Sequence, residues 1–238
     1  MTDDTTTITD LRRGLVDGLA AARATERDVL AALDAGTRDA PAPDGGWSPK
    51  DVQAHLGAWR RHQVERLVAT RDQQDEPQPA ATETDEVNAI IHAERADWPW
   101  DRVLEDAEES ATQLIAEVET AAESTLADAR TVGSIMGNGP EHSIIHIGPI
   151  AAQADMTGRV ITLATEVEAI VSRGGWPPRA AAYARYNLAC FHALAGRLDE
   201  ARSLLREALP GQETLREFAP QDTDLAALHD EIPALSEG

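Results

Sequence analysis

The sequence predicts an all-α protein: a four-helix bundle followed by a helical hairpin. Apolar residues recur at three- and four-residue spacing, as Leu11, Leu15, Leu19, Ala22, Val29 and Leu33 do near the N-terminus. Aromatic residues make up only 4% of the chain, and Thr, Val and Ile rarely alternate with polar residues, so few strands are expected. Pro and Gly clusters cut the chain into segments of helical length, most sharply at Gly174-Gly175-Trp176-Pro177-Pro178.

Residues 10 to 33 carry the first helical stripe. Asp39 to Gly46, rich in Pro, Gly and Asp, reads as a loop. Ser48-Pro49-Lys50-Asp51 is a strong helix start: Ser48 can cap, Pro49 suits the first turn, and Asp51 favours the N-terminal end of the helix dipole. That helix is expected to reach about Arg71, with Val52, Leu56, Trp59, Gln63 and Leu67 on one side. Asp72 to Thr82 contains Pro77 and Pro79 and reads as a loop. A short helix follows from about Glu83 to Ala96. Pro99 then opens a long helix to about Ser124, with Val103, Ala107, Leu114, Val118 and Ala121 inward. Gly137-Asn138-Gly139-Pro140 breaks the chain and starts a helix bearing His142 and His146. Gly148-Pro149 is expected to kink or interrupt it, because proline removes a hydrogen bond and clashes one turn back. Helix resumes towards Val171. These four principal helices form a first domain over residues 1–172. Residues 179–209 read as a helix-turn-helix, Pro220 to Leu228 as a closing helix, and Asp230 to Gly238 as a frayed end. Together they form a second unit over 179–238.

The 238 residues suffice for one large or two small domains with buried cores, and 42% hydrophobic content speaks against disorder throughout. The net charge of -21 and a pI near 4.6 repel phosphate backbones and anionic lipid, so neither nucleic acid nor membrane is an expected partner. Lys50 is the only lysine against abundant Arg and Ala, a bias that fits a high-GC, actinobacterial type of genome. No basic region precedes an apolar run near Met1, and no run of about 18 apolar residues occurs. Neither a signal peptide nor a membrane span is therefore expected. Cys190 stands alone, which fits a reducing cytoplasm.

The segment from Tyr186-Asn187-Leu188-Ala189 through Gly196-Arg197-Leu198-Asp199-Glu200-Ala201 to Ala208-Leu209 resembles a tetratricopeptide repeat. Gly196 permits a tight turn and Ala201 a close helix approach. About one repeat is covered, and such repeats need neighbours for stability. The hairpin must therefore lean on the first domain, on the closing helix, or on another chain. It is either a packing appendage or a surface for a protein partner or a homodimer. Pro210 follows the second helix early for a continuing array.

His142 and His146, four apart on a helix, project from one face and could share a metal. His55 lies beside the apolar face of its helix, either as a hydrogen-bonded core residue or as a third member of that group. No Glu follows His142 in the His-Glu-x-x-His manner of zinc proteases.

The stretch from Gly46-Trp47-Ser48-Pro49-Lys50-Asp51 through Ala54-His55-Leu56 to Trp59-Arg60 resembles the second helix of the DinB/YfiT-like superfamily, particularly its ClbS/DfsB branch. His142-Ser143-Ile144-Ile145-His146 stands where members carry a late histidine pair. The resemblance spans about residues 8 to 170. It implies a divalent metal, often zinc or nickel, on His55, His142 and His146. It also implies chemistry like that of isomerases and transferases using a low-molecular-weight thiol such as mycothiol, or resistance to reactive small molecules.

The expected function is therefore a metal-dependent enzyme of thiol transfer or hydrolysis acting on a small-molecule substrate in detoxification. The competing expectation is a non-enzymatic scaffold that uses the terminal hairpin. Among other candidates, His62 reads as a substitute ligand or a solvated helix residue, and Asp51 as a partner for His55 or a helix cap. Glu141 reads as an acid-base group or a favourable first-turn charge. Trp47 and Trp59 read as pocket walls or core, and Cys190 as a buried, inert thiol.

Overall fold

The computed structural model describes residues 7–43, 45–173 and 175–236. All regular structure among them is helical. In chain order the α-helices are α1 (Ile8–Ala31), α2 (Ala35–Asp39), α3 (Pro49–Arg71), α4 (Thr84–Arg95) and α5 (Trp100–Thr120). Then come α6 (Glu123–Leu126), α7 (Ala129–Asn138), α8 (Pro140–Gln153) and α9 (Thr157–Val171). The C-terminal part holds α10 (Pro178–Leu194), α11 (Leu198–Ala208), α12 (Glu213–Phe218), 3-10 turns over Ala219–Gln221 and Thr223–Leu228, and α13 (Ile232–Leu235).

The starts of the two longest helices follow from local chemistry. Thr7 and Asp10 close a reciprocal capping box on α1, and Ser48 and Asp51 do the same on α3, where Pro49 occupies the first turn. Each box satisfies backbone N–H groups that no helical carbonyl can reach.

The largest core runs between α1, α3, α5, α8, α9 and one face of α10. Leu15, Leu56, Leu114, Ile144, Ile147 and Leu163 are completely or almost completely buried in it. Ala180, Ala184, Leu188 and Phe191 of α10 belong to this same core. The opposite face of α10, with Tyr186, Ala189 and Ala193, packs with α11, the 3-10 turns and α13 into a second cluster. Trp176, in the connection before α10, is buried against Gly14 of α1, where a methyl group would lie 2.7 Å from the indole.

Four expectations from the sequence are corrected. Pro149 does not interrupt its helix: α8 runs unbroken to Gln153, and the break falls at Ala154–Met156, where Asp155 adopts φ 55°. Proline removes the bond to Ile145, but Pro149 and Ile145 both lie exposed, where water can take the freed carbonyl. Residues 230–236 are not frayed, since Ile232 and Leu235 of α13 are buried in the second cluster; the expectation for Glu237 and Gly238 falls outside the described residues. The closing segment forms 3-10 turns instead of an α-helix, with Asp222 capping the second turn through the backbone N–H of Asp224. The long helix expected to reach Ser124 stops at Thr120, and α7 occupies a stretch the apolar pattern left unassigned. Gly174, inside the expected boundary, also lies outside the described residues. No helix among them is long and apolar enough to cross a membrane.

Candidate metal centre

The capping box at Ser48 fixes where α3 begins, and the first turn therefore fixes where His55 points. Ser48 accepts from the Asp51 backbone N–H at 3.2 Å, while Asp51 accepts from the Ser48 backbone N–H at 3.1 Å and its hydroxyl at 2.6 Å. One turn on, Val52 and Leu56 enter the core and His55 is buried beside them at 3% exposure. The start of α8 is fixed by close packing. A methyl group on Gly139 would lie 2.5 Å from Leu19 and 2.8 Å from the Ile135 carbonyl oxygen, so only glycine lets α8 begin this near α1. His142 and His146, one turn apart, then share a face towards α3.

The three imidazoles meet. Ring centroids are 4.7 Å apart for His55 and His142, 4.8 Å for His55 and His146, and 4.7 Å for His142 and His146. One nitrogen from each ring lies within 4.8 Å of the others, and Nε2 of His55 is 3.0 Å from Nε2 of His142. Three nitrogens each about 2.0–2.1 Å from a common ion stand roughly 3–3.5 Å apart, so small rotations of the rings complete such an arrangement.

The protonation states suit that arrangement. Burial, followed by the nearby His146, pushes His55 down to about 3. Burial also holds His142 well below the ordinary imidazole value, aided by His146, His55 and Arg60, and burial lowers His146. All three rings are therefore neutral at pH 7, the form in which imidazole donates a lone pair to a metal. A hydrogen bond between His55 and His142 uses one proton and one lone pair and leaves His146 unserved. Nδ1 of His55 and of His142 is buried without a hydrogen-bond partner, so neither ring is engaged from its far side. The donor set fits a divalent cation: these residues could hold one.

Tryptophans wall the group. Trp47 lies 4.8 Å from the His55 ring, and Trp59 lies 6.3 Å from His55 and 6.2 Å from His142. Trp47 also stacks on His92 at 5.7 Å, which anchors the capping loop to α4. The other sequence candidates stay apart. His62 sets its ring against Trp59 at 5.5 Å, and Asp51 serves the cap and lies 3.5 Å from Nε2 of His92. Glu141 is buried, with Oε1 unpaired; burial pushes its carboxyl up to about 8, partly offset by Arg179. Cys190 is buried on α10.

A buried ionic network beneath the histidines was not read from the sequence. Glu26 of α1, fully buried, accepts from Arg60 of α3, from the Ser143 hydroxyl at 2.6 Å, from Arg23 at 3.1 Å and from Gln53 at 3.2 Å. Arg60 also donates to Ser143 at 3.1 Å, and Arg23 to Glu108 at 3.0 Å. Burial raises the Glu26 carboxyl, but Arg60, Arg23 and Ser143 more than reverse this and hold it below its ordinary value. The network locks α1, α3 and α8 together next to His142. Its sequence signal was an acid inside an apolar stripe: Glu26 falls between Ala22 and Val29 at helical spacing.

No family model, no curated protein and no solved structure matches this chain.

Proposed function

We propose that the protein is a metal-dependent enzyme that transfers a thiol to, or hydrolyses, a reactive small molecule, with His55, His142 and His146 as the ligands. The observation that carries this reading is the meeting of three neutral imidazoles from α3 and α8 in one walled space. The resemblance around Trp47 to Trp59 supports the reaction class and a thiol such as mycothiol as co-substrate. A divalent ion on three histidines retains open positions and lowers the pKa of a bound water or thiol.

The chain's own residues do the positioning. His55 approaches from one helix and the His142–His146 pair from another, so the ligand set forms only when α3 and α8 are held together. Arg60, Glu26 and Ser143 supply that hold. Trp47 and Trp59 keep bulk water from one side and lower the local dielectric, which favours neutral rings. Arg60 places a fixed positive charge near His142 without competing for its lone pair.

The test uses full-length, zinc- or nickel-loaded protein with a low-molecular-weight thiol and an epoxide or activated ester, read by mass spectrometry. Conjugate or hydrolysed product should form at least about ten-fold faster than with His55→Ala. Equal rates with wild type and variant across these electrophiles would overturn the proposal.

A further inference from the structure

We propose that the cleft between α8, α10 and the 3-10 turns after α12 binds a small amphipathic amine that also carries an oxygen acceptor. The site is separate from the histidine group and does not depend on the function proposed above. At 100° per residue, the cleft-lining positions 144, 145, 148, 149 and 152 are centred roughly 110° around α8 from the mean direction of His142 and His146.

The cleft has a volume of about 610 Å³, within the range of small-molecule sites. Its floor is Phe191, whose ring approaches Gly148 so closely that a methyl group there would lie 2.9 Å away. Its rim is apolar and open to solvent. Ile145, Leu194 and Phe218 are 52%, 58% and 53% exposed, and they are three of the four large hydrophobic side chains exposed among the described residues. On a chain of net charge -21 these three side chains offer one cleft's worth of exposed apolar surface to a ligand.

The polar end is anionic. Asp222 and Asp224 line it, and no Arg, Lys or His does. Burial and the neighbouring Asp222 raise the Asp224 carboxyl, as expected for two acids that share a space without a cation. Asn187 adds an independent observation. It lines the same cleft at 8% exposure, and its Nδ2 donor has no hydrogen-bond partner. A buried donor left unpaired is costly, and an oxygen on the ligand would relieve it. The two carboxylates favour a cation, the unpaired amide favours an acceptor, and the walls favour an apolar body.

Cys190 together with the two acids could in principle take a metal ion, since their ligand atoms lie within 4.8 Å of one another. The local bonding favours an ammonium group. Asp222 already accepts from Tyr186 at 2.7 Å and from the Asp224 backbone N–H at 3.0 Å. Burial, then Asp222 and Asp224, push the Cys190 thiol well up, and its Sγ already donates to Asp222 at 3.7 Å. An ammonium can add hydrogen bonds to a carboxylate that keeps these partners.

Calorimetry of the full-length protein at neutral pH with phenoxypropylamine, and with phenoxypropanol as its uncharged counterpart, tests the proposal. The amine should bind one per chain and about ten-fold or more tighter than the alcohol. Asp224→Asn, which keeps the side chain's size and removes its charge, should remove most of that difference and leave the alcohol unchanged. Phe218→Ala should weaken both probes, and His55→Ala neither. Absence of saturable amine binding, equal affinity for the two probes, or an amine affinity indifferent to both Asp224→Asn and Phe218→Ala would overturn it.

Discussion

Two buried acids solve the same desolvation problem in opposite ways. Glu26 remains ionised because Arg60, Arg23, Ser143 and Gln53 surround it. Removing one member leaves an uncompensated buried charge. Arg60→Ala should therefore lower stability by about 3–5 kcal/mol in urea unfolding, and a cost under about 1 kcal/mol would contradict the role given to the network. Glu141 has no hydrogen-bonded cation, and burial raises its carboxyl to about 8. The folded chain thus holds this proton more tightly than the unfolded chain, in which the group ionises near 4.5. Its contribution to stability is full below pH 4.5 and is lost as pH rises through about 8. Glu141→Gln should be near neutral at pH 4 and stabilising by a few kcal/mol at pH 8.5, since each pH unit separating the folded and unfolded ionisations is worth about 1.4 kcal/mol. Equal unfolding free energies for wild type and variant at pH 8.5 would refute the assignment. The histidine pair was legible because four-residue spacing on a helix is a local property. The ionic network was not, since its members come from three helices far apart in sequence and only packing brings them together.

The capped helices were legible because their signals are local: Ser48, Pro49 and Asp51 specify the start of α3 without reference to the rest of the chain. Pro149 misled because its effect depends on what surrounds the freed carbonyl, which sequence does not report. The segment forming α7 was missed because Gly133 and Gly137 dilute its apolar pattern. Glycine plays different parts in α7 and α8, and substitution separates them. A methyl group on Gly148 would meet the Phe191 ring at 2.9 Å, so Gly148→Ala should displace that ring and cost about 1–3 kcal/mol. Gly133 has open space, so Gly133→Ala should stabilise by about 0.5–1 kcal/mol through helix propensity alone. Thermal unfolding of the two variants should shift in opposite directions; shifts of the same sign would contradict this packing.

At the scale of the whole molecule, helical periodicity and low aromatic content were enough for the all-α class, because they sample the entire chain. The convergence of α3 with α8 was not available at that level. His55 and His146 are separated by four intervening helices, and their meeting is a property of the assembled core. The metal centre therefore stands or falls on whether three rings brought together from two distant segments act as one ligand set. The direct measurement is calorimetric titration of metal-stripped, full-length protein with zinc and with nickel, beside His55→Ala and His146→Ala. One ion per chain should bind with a Kd below about 1 μM, with roughly 100-fold or greater weakening in each folded variant. No saturable binding in the wild type, or wild-type affinity in both variants, would contradict it.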